Sequence, residues 1–367
     1  MATTPATTSE EFSPSEIAER MRRDFERNML RMRNGMKMAA GIDRPGLGLT
    51  PKDTVWTLEK LELWRYRSDQ RRFKPPVLMV MSLVSRSYIF DLRPGNSLVE
   101  YMLNRGFDVY VLDWGVPDHL EANNTISTYT DEYLPAVVDA VCDISHVDSV
   151  TMNGYCFGGV LALLYAAGHP GPQLRNLITM ATPFDQRKLP MQNFAVEGRA
   201  AEPEELLDEN GNVPAEVMEN YFKILKPTAE ISGYVKLWDN LWNDEFDESY
   251  QAMTGWGQDQ IPFPGAAYIE MVKVLGRTNA VASGVIPLGG REVRLSDIRC
   301  PFLSVLGEKD HIVPIEAGQG VLDKIGSTDK HELVVKSGHV GLFVGKTAHK
   351  GTLPPMCDWI EAHSDPA

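Results

Sequence analysis

The chain has 367 residues, 43% of them apolar, enough for one large core carrying an insertion or for two small ones. A net charge of -14 gives no basic footprint for nucleic acid, and no apolar run approaches the roughly 18 residues needed to cross a bilayer. The four cysteines, Cys142, Cys156, Cys300 and Cys357, are widely separated, with neither a C-x-x-C pair nor metal-ligand spacing, which argues against a disulfide framework and a metal site and for a reducing cytoplasm.

Residues 1–13 are rich in Thr, Ser, Ala and Pro and read as a disordered tail without the apolar core of a signal peptide. Residues 14–50 read as an N-terminal helical segment. Ser13 can cap a helix reaching Ala40, with Pro14 next and Glu16 three residues on. Ile17, Met21, Phe25, Met29, Met32 and Met36 recur on it at helical spacing, between arginines. The stripe suits packing on the domain or docking to a partner or an apolar surface.

Residues 51–183 read as the first part of an α/β core. Leu61–Tyr66 alternates like an edge strand, whereas Val77–Leu83 and Val109–Asp113 are the continuous apolar runs of strands buried on both faces. Helices are expected over Leu98–Asn104, stopped by Gly106, and over Thr130–Ile144. A strand over Val147–Met152 runs into Gly154-Tyr155-Cys156-Phe157-Gly158, and a helix then extends to about Gly168. Leu177–Ala181 reads as the next strand.

The pattern breaks over residues 184–295, which hold Trp238, Trp242 and Trp256 and read as an inserted cap of apolar, aromatic character. Residues 296–367 resume the core, with strands at Phe302–Gly307 and His331–Val335 and a closing helix from Pro354 to about His363. Strands alternating with helices imply a mostly parallel, doubly wound sheet whose ligands bind at the carboxyl ends of the strands.

Gly154-Tyr155-Cys156-Phe157-Gly158 has the layout of a nucleophile elbow, with cysteine where serine is usual. A strand turning abruptly into a helix strains its tip residue and leaves no room for neighbouring Cβ atoms, so glycines flank it. The tip sulfur then projects above the sheet, near the positive end of a helix. Asp310 follows the Phe302–Gly307 strand and His339 follows the last strand, which is the nucleophile–Asp–His order of the α/β-hydrolase fold. In that arrangement His339 is the base for Cys156, and Asp310 orients the imidazole. An oxyanion needs two backbone donors: the Phe157 N–H after the nucleophile and the N–H of Val84 in the loop after Val77–Leu83. Ser85 and His311 are further candidates for substrate contact, and Asp113 and Trp114 close a strand on the same face.

Taken together, GYCFGG at Gly154–Gly159, SLVSRSYIFDL at Ser82–Leu92, LDWG at Leu112–Gly115, EKDHIVP at Glu308–Pro314 and GHVG at Gly338–Gly341 resemble polyhydroxyalkanoate synthases. The resemblance runs from about Pro51 to Phe343, and the short chain is similar to the catalytic subunit of the class III or class IV enzymes. It implies an α/β-hydrolase fold with Cys156 as nucleophile and polymerisation of (R)-3-hydroxyacyl-CoA into polyester with release of CoA. It also implies no cofactor beyond the CoA of the substrate, a second non-catalytic synthase subunit (PhaE- or PhaR-like), an oligomer, and a cytoplasmic place on polymer granules. Two features depart from the family: Ser85-Arg86 stands where it usually has Asn-Arg or Asn-Lys, and residues 184–295 match less closely. A Cys-His-Asp thioesterase, esterase or polyester depolymerase has the same triad, and a granule-surface protein of little activity is the non-enzymatic alternative.

Overall fold

The computed structural model describes residues 13–42, 44–67, 70–190, 202–225 and 229–367; the tail expected over residues 1–12 lies outside them, as do residues 191–201 and 226–228 of the expected cap. Eight strands build the central sheet: β1 Lys52–Leu58, β2 Leu61–Tyr66, β3 Val77–Val80, β4 Val109–Asp113, β5 Val150–Tyr155, β6 Leu174–Met180, β7 Phe302–Gly307 and β8 Lys330–Val335. Their spatial order is β1-β2-β4-β3-β5-β6-β7-β8. The β1–β2 and β2–β4 pairs are antiparallel and all the others parallel. The central strands β3, β5 and β7 are buried along their whole length, as the unbroken apolar run of β3 predicts for that strand.

The winding reverses between β3 and β5. From β3 the chain goes to β4 on one side, and from β5 it goes on to β6, β7 and β8 on the other. Such a switch point opens a crevice at the carboxyl ends of the two strands. Val84 follows β3 and Cys156 follows β5, so the topology alone brings them to one place.

Local signals set several element ends. Ser97 caps the helix Leu98–Arg105 by accepting from the Glu100 N–H at 2.9 Å, and Gly106 closes it in the left-handed region at φ 94. The helix expected over Thr130–Ile144 begins instead as a wide π turn, Thr128–Tyr133, and becomes α-helical only over Leu134–Ser145. Pro135 then falls in its first turn, where a missing N–H costs nothing.

One strand assignment needs correction. Leu61–Tyr66 is not an edge strand, because Lys52–Leu58 pairs along its outer side. The start of β1, Lys52-Asp53-Thr54, is polar and shows no apolar run, and exposed charges are what an edge strand carries.

The chain divides into two compact units, one of residues 1–45 with 228–254 and one of residues 46–227 with 255–367. The second contains the whole sheet. It also holds two short ribbons from the region expected as a cap, Asn212–Val213 with Phe263–Pro264 and Val285–Leu288 with Arg291–Arg294.

The first unit is helical. Its long helix, Pro14–Ala39, starts in a capping box in which Ser13 Oγ accepts from Glu16 N–H and Glu16 accepts from Ser13 N–H. It packs through its polar face. Arg31 donates to the carbonyls of Trp238 and Asp239, and buried Asn34 donates to that of Leu241 at 2.7 Å, at the carboxyl end of the helix Ala229–Asn240. Those last carbonyls have no partner within their own helix, so cationic and amide donors are their natural complement. The apolar stripe, read as a face for packing or docking, is left uncovered within this unit, from 48% exposed at Ile17 to 69% at Met21. Among the described residues no helix is long and apolar enough to cross a membrane.

Candidate active site

At the carboxyl end of β5 the backbone of Cys156 adopts φ 54, ψ -124, a conformation few non-glycine residues tolerate. Three glycines make the turn feasible. A Cβ on Gly154 would lie 2.6 Å from the Gly158 carbonyl oxygen and the Gly159 Cα; one on Gly158 would lie 2.3 Å from the Val80 oxygen; one on Gly159 would meet the Thr182 hydroxyl at 1.8 Å. The strand and the helix Phe157–Gly168 therefore approach as closely as bare backbone allows. The Phe157 N–H opens that helix, where no intrahelical acceptor exists for it.

The other two residues arrive from β7 and β8. Asp310 sits in the turn after β7 with its side chain wholly buried. Its Oδ1 accepts from the N–H groups of Ile312 and Val313, both at 2.9 Å, and its Oδ2 bonds His339 Nδ1 at 2.6 Å. The carboxylate is thus aimed by backbone amides before it meets the imidazole, which leaves Nε2 as the ring's free end. Burial on its own would lower the His339 pKa. The charges of Asp310 and Cys156 and the hydrogen bonds to both outweigh it and carry the imidazole up to about 10. The protonated form of His339 is thus favoured, with Nδ1 bonded to Asp310 and the ring lining the same cavity as Cys156.

The remaining cysteines have no such setting. Burial pushes the thiols of Cys142 up to about 11 and those of Cys300 and Cys357 up to about 12, so all three stay protonated. A groove of about 300 Å³ lined by Cys300, His169 and Asp297 is larger than the cavity at Cys156, but its His169 bonds Asp131 at 3.0 Å.

Cys156 and His339 open into a cavity of about 130 Å³. Of the other residues singled out in the sequence, Val84 and Ser85 line it. Phe157 lies beneath, its ring 5.7 Å from that of Phe263. Ile312 rather than His311 forms the wall on the Asp310 side. Asp113 accepts from the Gly115 N–H, and the Trp114 indole donates to the Met81 carbonyl at 2.8 Å, so this pair braces the loop after β3.

Four further residues shape the site and were not read as part of it. Tyr155 lies under the imidazole, ring centroids 4.9 Å apart, and is itself packed edge-on by Phe343 at 4.7 Å. Phe222, Trp256 and Gln260 complete the wall opposite the triad. Only Tyr155, adjacent to Cys156, carried a local signal. The other three lie in the region where no period links residue to position. Among the described residues no cluster of His, Cys, Asp and Glu is arranged to hold a metal ion.

The chain matches the family described as alpha/beta hydrolase fold over residues 75–346, and the family described as poly-beta-hydroxybutyrate polymerase (PhaC) N-terminus over residues 8–102. It is 33% identical to the poly(3-hydroxyalkanoate) polymerase subunit PhaC of Haloferax mediterranei over 89% of this chain and 67% of that one. To the subunit of the same name from Allochromatium vinosum it is 32% identical, over 92% of this chain and 95% of that one. Among solved structures, a monoacylglycerol lipase from Paleococcus ferrophilus superposes with a TM-score of 0.51 at 16% identity, covering 83% of this chain and 100% of the lipase, a likeness of fold.

Proposed function

The chain belongs to the poly(3-hydroxyalkanoate) polymerase PhaC family, and from that premise we propose that it builds polyester from (R)-3-hydroxyacyl-CoA through an acyl thioester on Cys156. The observation that carries this reading is the buried chain of contacts from Asp310 through His339 to a cysteine held on a strained turn. A serine there would form an oxygen ester. A thioester is more reactive toward an incoming alcohol and so suits repeated transfer to hydroxyl groups.

The steps balance on one proton. The Cys156 thiolate, paired with the His339 imidazolium, attacks the thioester carbonyl. The resulting oxyanion is met by the N–H groups of Phe157 and Val84. The C–S bond to CoA breaks, and His339 gives its proton to the leaving CoA thiolate. The now neutral imidazole takes the proton of a 3-hydroxyl, whose oxygen attacks the acyl-cysteine. Cys156 leaves as thiolate and the ion pair is restored. Asp310 holds the tautomer throughout and stabilises the charged ring. CoA and polymer are far larger than 130 Å³, so the wall of Phe222, Trp256 and Gln260 has to give way during the cycle. Ser85 lines the acyl pocket, and His311 is kept as a contact farther out.

No cofactor is required beyond the CoA carried by the substrate, and 3-hydroxybutyryl-CoA is the substrate proposed. Both relatives are named as polymerase subunits, which supports a second, non-catalytic subunit, a class III-like assembly and an oligomer. A polyester product supports a granule surface in the cytoplasm as the place of work. The division of residues 51–183 and 296–367 as core from 184–295 as cap belongs to the same reading.

The test is to incubate the purified protein with 3-hydroxybutyryl-CoA, with and without a candidate partner subunit, following CoA and polymer together. A Cys156 peptide heavier by one or more 3-hydroxybutyryl units is the expected intermediate. Free hydroxy acid without polymer would establish hydrolysis instead.

A further inference from the structure

The loop after β3 carries the Val84 amide, yet it has no ladder to hold it, since the strand ends at Val80. Beyond the Trp114 indole on the Met81 carbonyl, it is tied to one short stretch, residues 256–261. The Ile261 N–H donates to the Val84 carbonyl at 3.2 Å. Ser85 and Gln260 pair as an antiparallel backbone bridge, and Ser85 Oγ donates to Gln260 Oε1 at 2.8 Å. The Trp256 indole donates to the Arg86 carbonyl at 2.9 Å. Arg86 reaches Asp259 at 3.2 Å, but that pair is partly open to solvent and weak. The Ser85–Gln260 bond is the shielded one: Ser85 is 6% exposed, and both residues line the cavity that holds Cys156.

A hydroxyl this buried loses its solvent partners, so its acceptor decides where it points. Gln260 in turn cannot swing freely, because its Nε2 donates to the Trp256 and Gly257 carbonyls of the same turn. The direction of the peptide between Leu83 and Ser85 is thereby referred to Gln260, a residue 175 positions away in the chain.

We propose that Gln260 is a positioning residue for acyl transfer: acting through Ser85, it sets the Val84 amide at the place where the oxyanion develops. This rests on the reading of Val84 as an oxyanion donor. Ser85 and Gln260 then act as one unit, and their contribution is felt in the transition state rather than in substrate binding.

The experiment compares Ser85→Ala, Gln260→Ala and the double variant with the unaltered protein. CoA release from 3-hydroxybutyryl-CoA and alkylation of Cys156 by iodoacetamide are followed in parallel, with Cys156→Ser supplying the background of the other thiols. Alkylation forms no oxyanion. Each single variant is expected to lose on the order of 10-fold in kcat with KM nearly unchanged, the double variant no more than either alone, and alkylation to stay within about twofold. Multiplying losses in the double variant, alkylation falling in step with turnover, or unaltered kcat would each overturn the proposal. If the unaltered protein releases no CoA, the polymerase reading fails. p-Nitrophenyl butyrate, whose acyl group reaches Cys156 through the same oxyanion, then reads the same ratios.

Discussion

The two walls of the cavity are held in different ways. The wall of Cys156, Asp310 and His339 hangs from β5, β7 and β8, and its side chains are aimed by backbone: a strained φ at Cys156, two amides on Asp310, and glycines that admit nothing larger. The facing wall, from Val84 to Ser85 and from Trp256 to Gln260, is held between loops by one isolated backbone bridge and by side-chain hydrogen bonds. A backbone-set wall reproduces its geometry at every turnover. A wall tied by single hydrogen bonds can part to admit CoA or polymer and then close again.

The first way to break this comparison is at the sulfur. Cys156→Ala should lower CoA release on the order of 10⁴-fold or more, with the fold intact by circular dichroism. Retained turnover would move the chemistry away from this wall altogether. Asp310→Asn keeps the shape but loses the carboxylate that fixes the His339 tautomer. A fall of about 10²- to 10⁴-fold in kcat, with substrate affinity little changed, is the expected result in steady-state kinetics.

The rigidity of the triad wall can be tested without touching its chemistry. Gly158→Ala places a Cβ 2.3 Å from the Val80 carbonyl, a clash no side-chain motion relieves. Destabilisation of about 1–3 kcal/mol, seen as a lower Tm, should follow. Gly95→Ala is the control, because a Cβ there meets nothing within 4 Å, although its φ of 72 carries its own strain.

The smallest effect is a pH dependence. The His339 imidazole is raised above its ordinary value to about 10, against burial, by Asp310 and Cys156. Between an unfolded pKa of about 6.5 and that value the folded ring holds a proton that the unfolded ring lacks, so the stabilisation carried by this group declines as pH rises. The Tm gap between the unaltered protein and His339→Gln should be widest at pH 6 and narrow steadily toward pH 10. A gap that widens over that range would show that His339 is buried neutral.

What could be read in advance follows the range of the interactions. The apolar runs at Val77–Val80 and Val109–Leu112 are continuous because both faces of those strands are covered, and that is visible in one dimension. Gly154 and Gly158 stand out because a sharp strand-to-helix turn excludes Cβ, again a local demand. Asp310 and His339 were found by their order after successive strands. By contrast, β1 carried no strand signal because an edge strand is polar, and the stripe from Ile17 to Met36 left packing and docking both open because periodicity reports amphipathicity and not which side is covered. Nothing in sequence joins Ser85 to Gln260, since a hydrogen bond across 175 residues leaves no period.

By itself, then, the sequence determined the parallel sheet, the elbow with cysteine at its tip, and the order in which Cys156, Asp310 and His339 follow their strands, because each is a consequence of short-range sterics or of chain order. Only the tertiary structure decided that His339 rests on Tyr155, that Arg31 and Asn34 turn the polar face of the first helix inward, and that Gln260 reaches the loop beside the nucleophile. Those contacts depend on the distance between elements, which folding supplies and the local sequence does not encode.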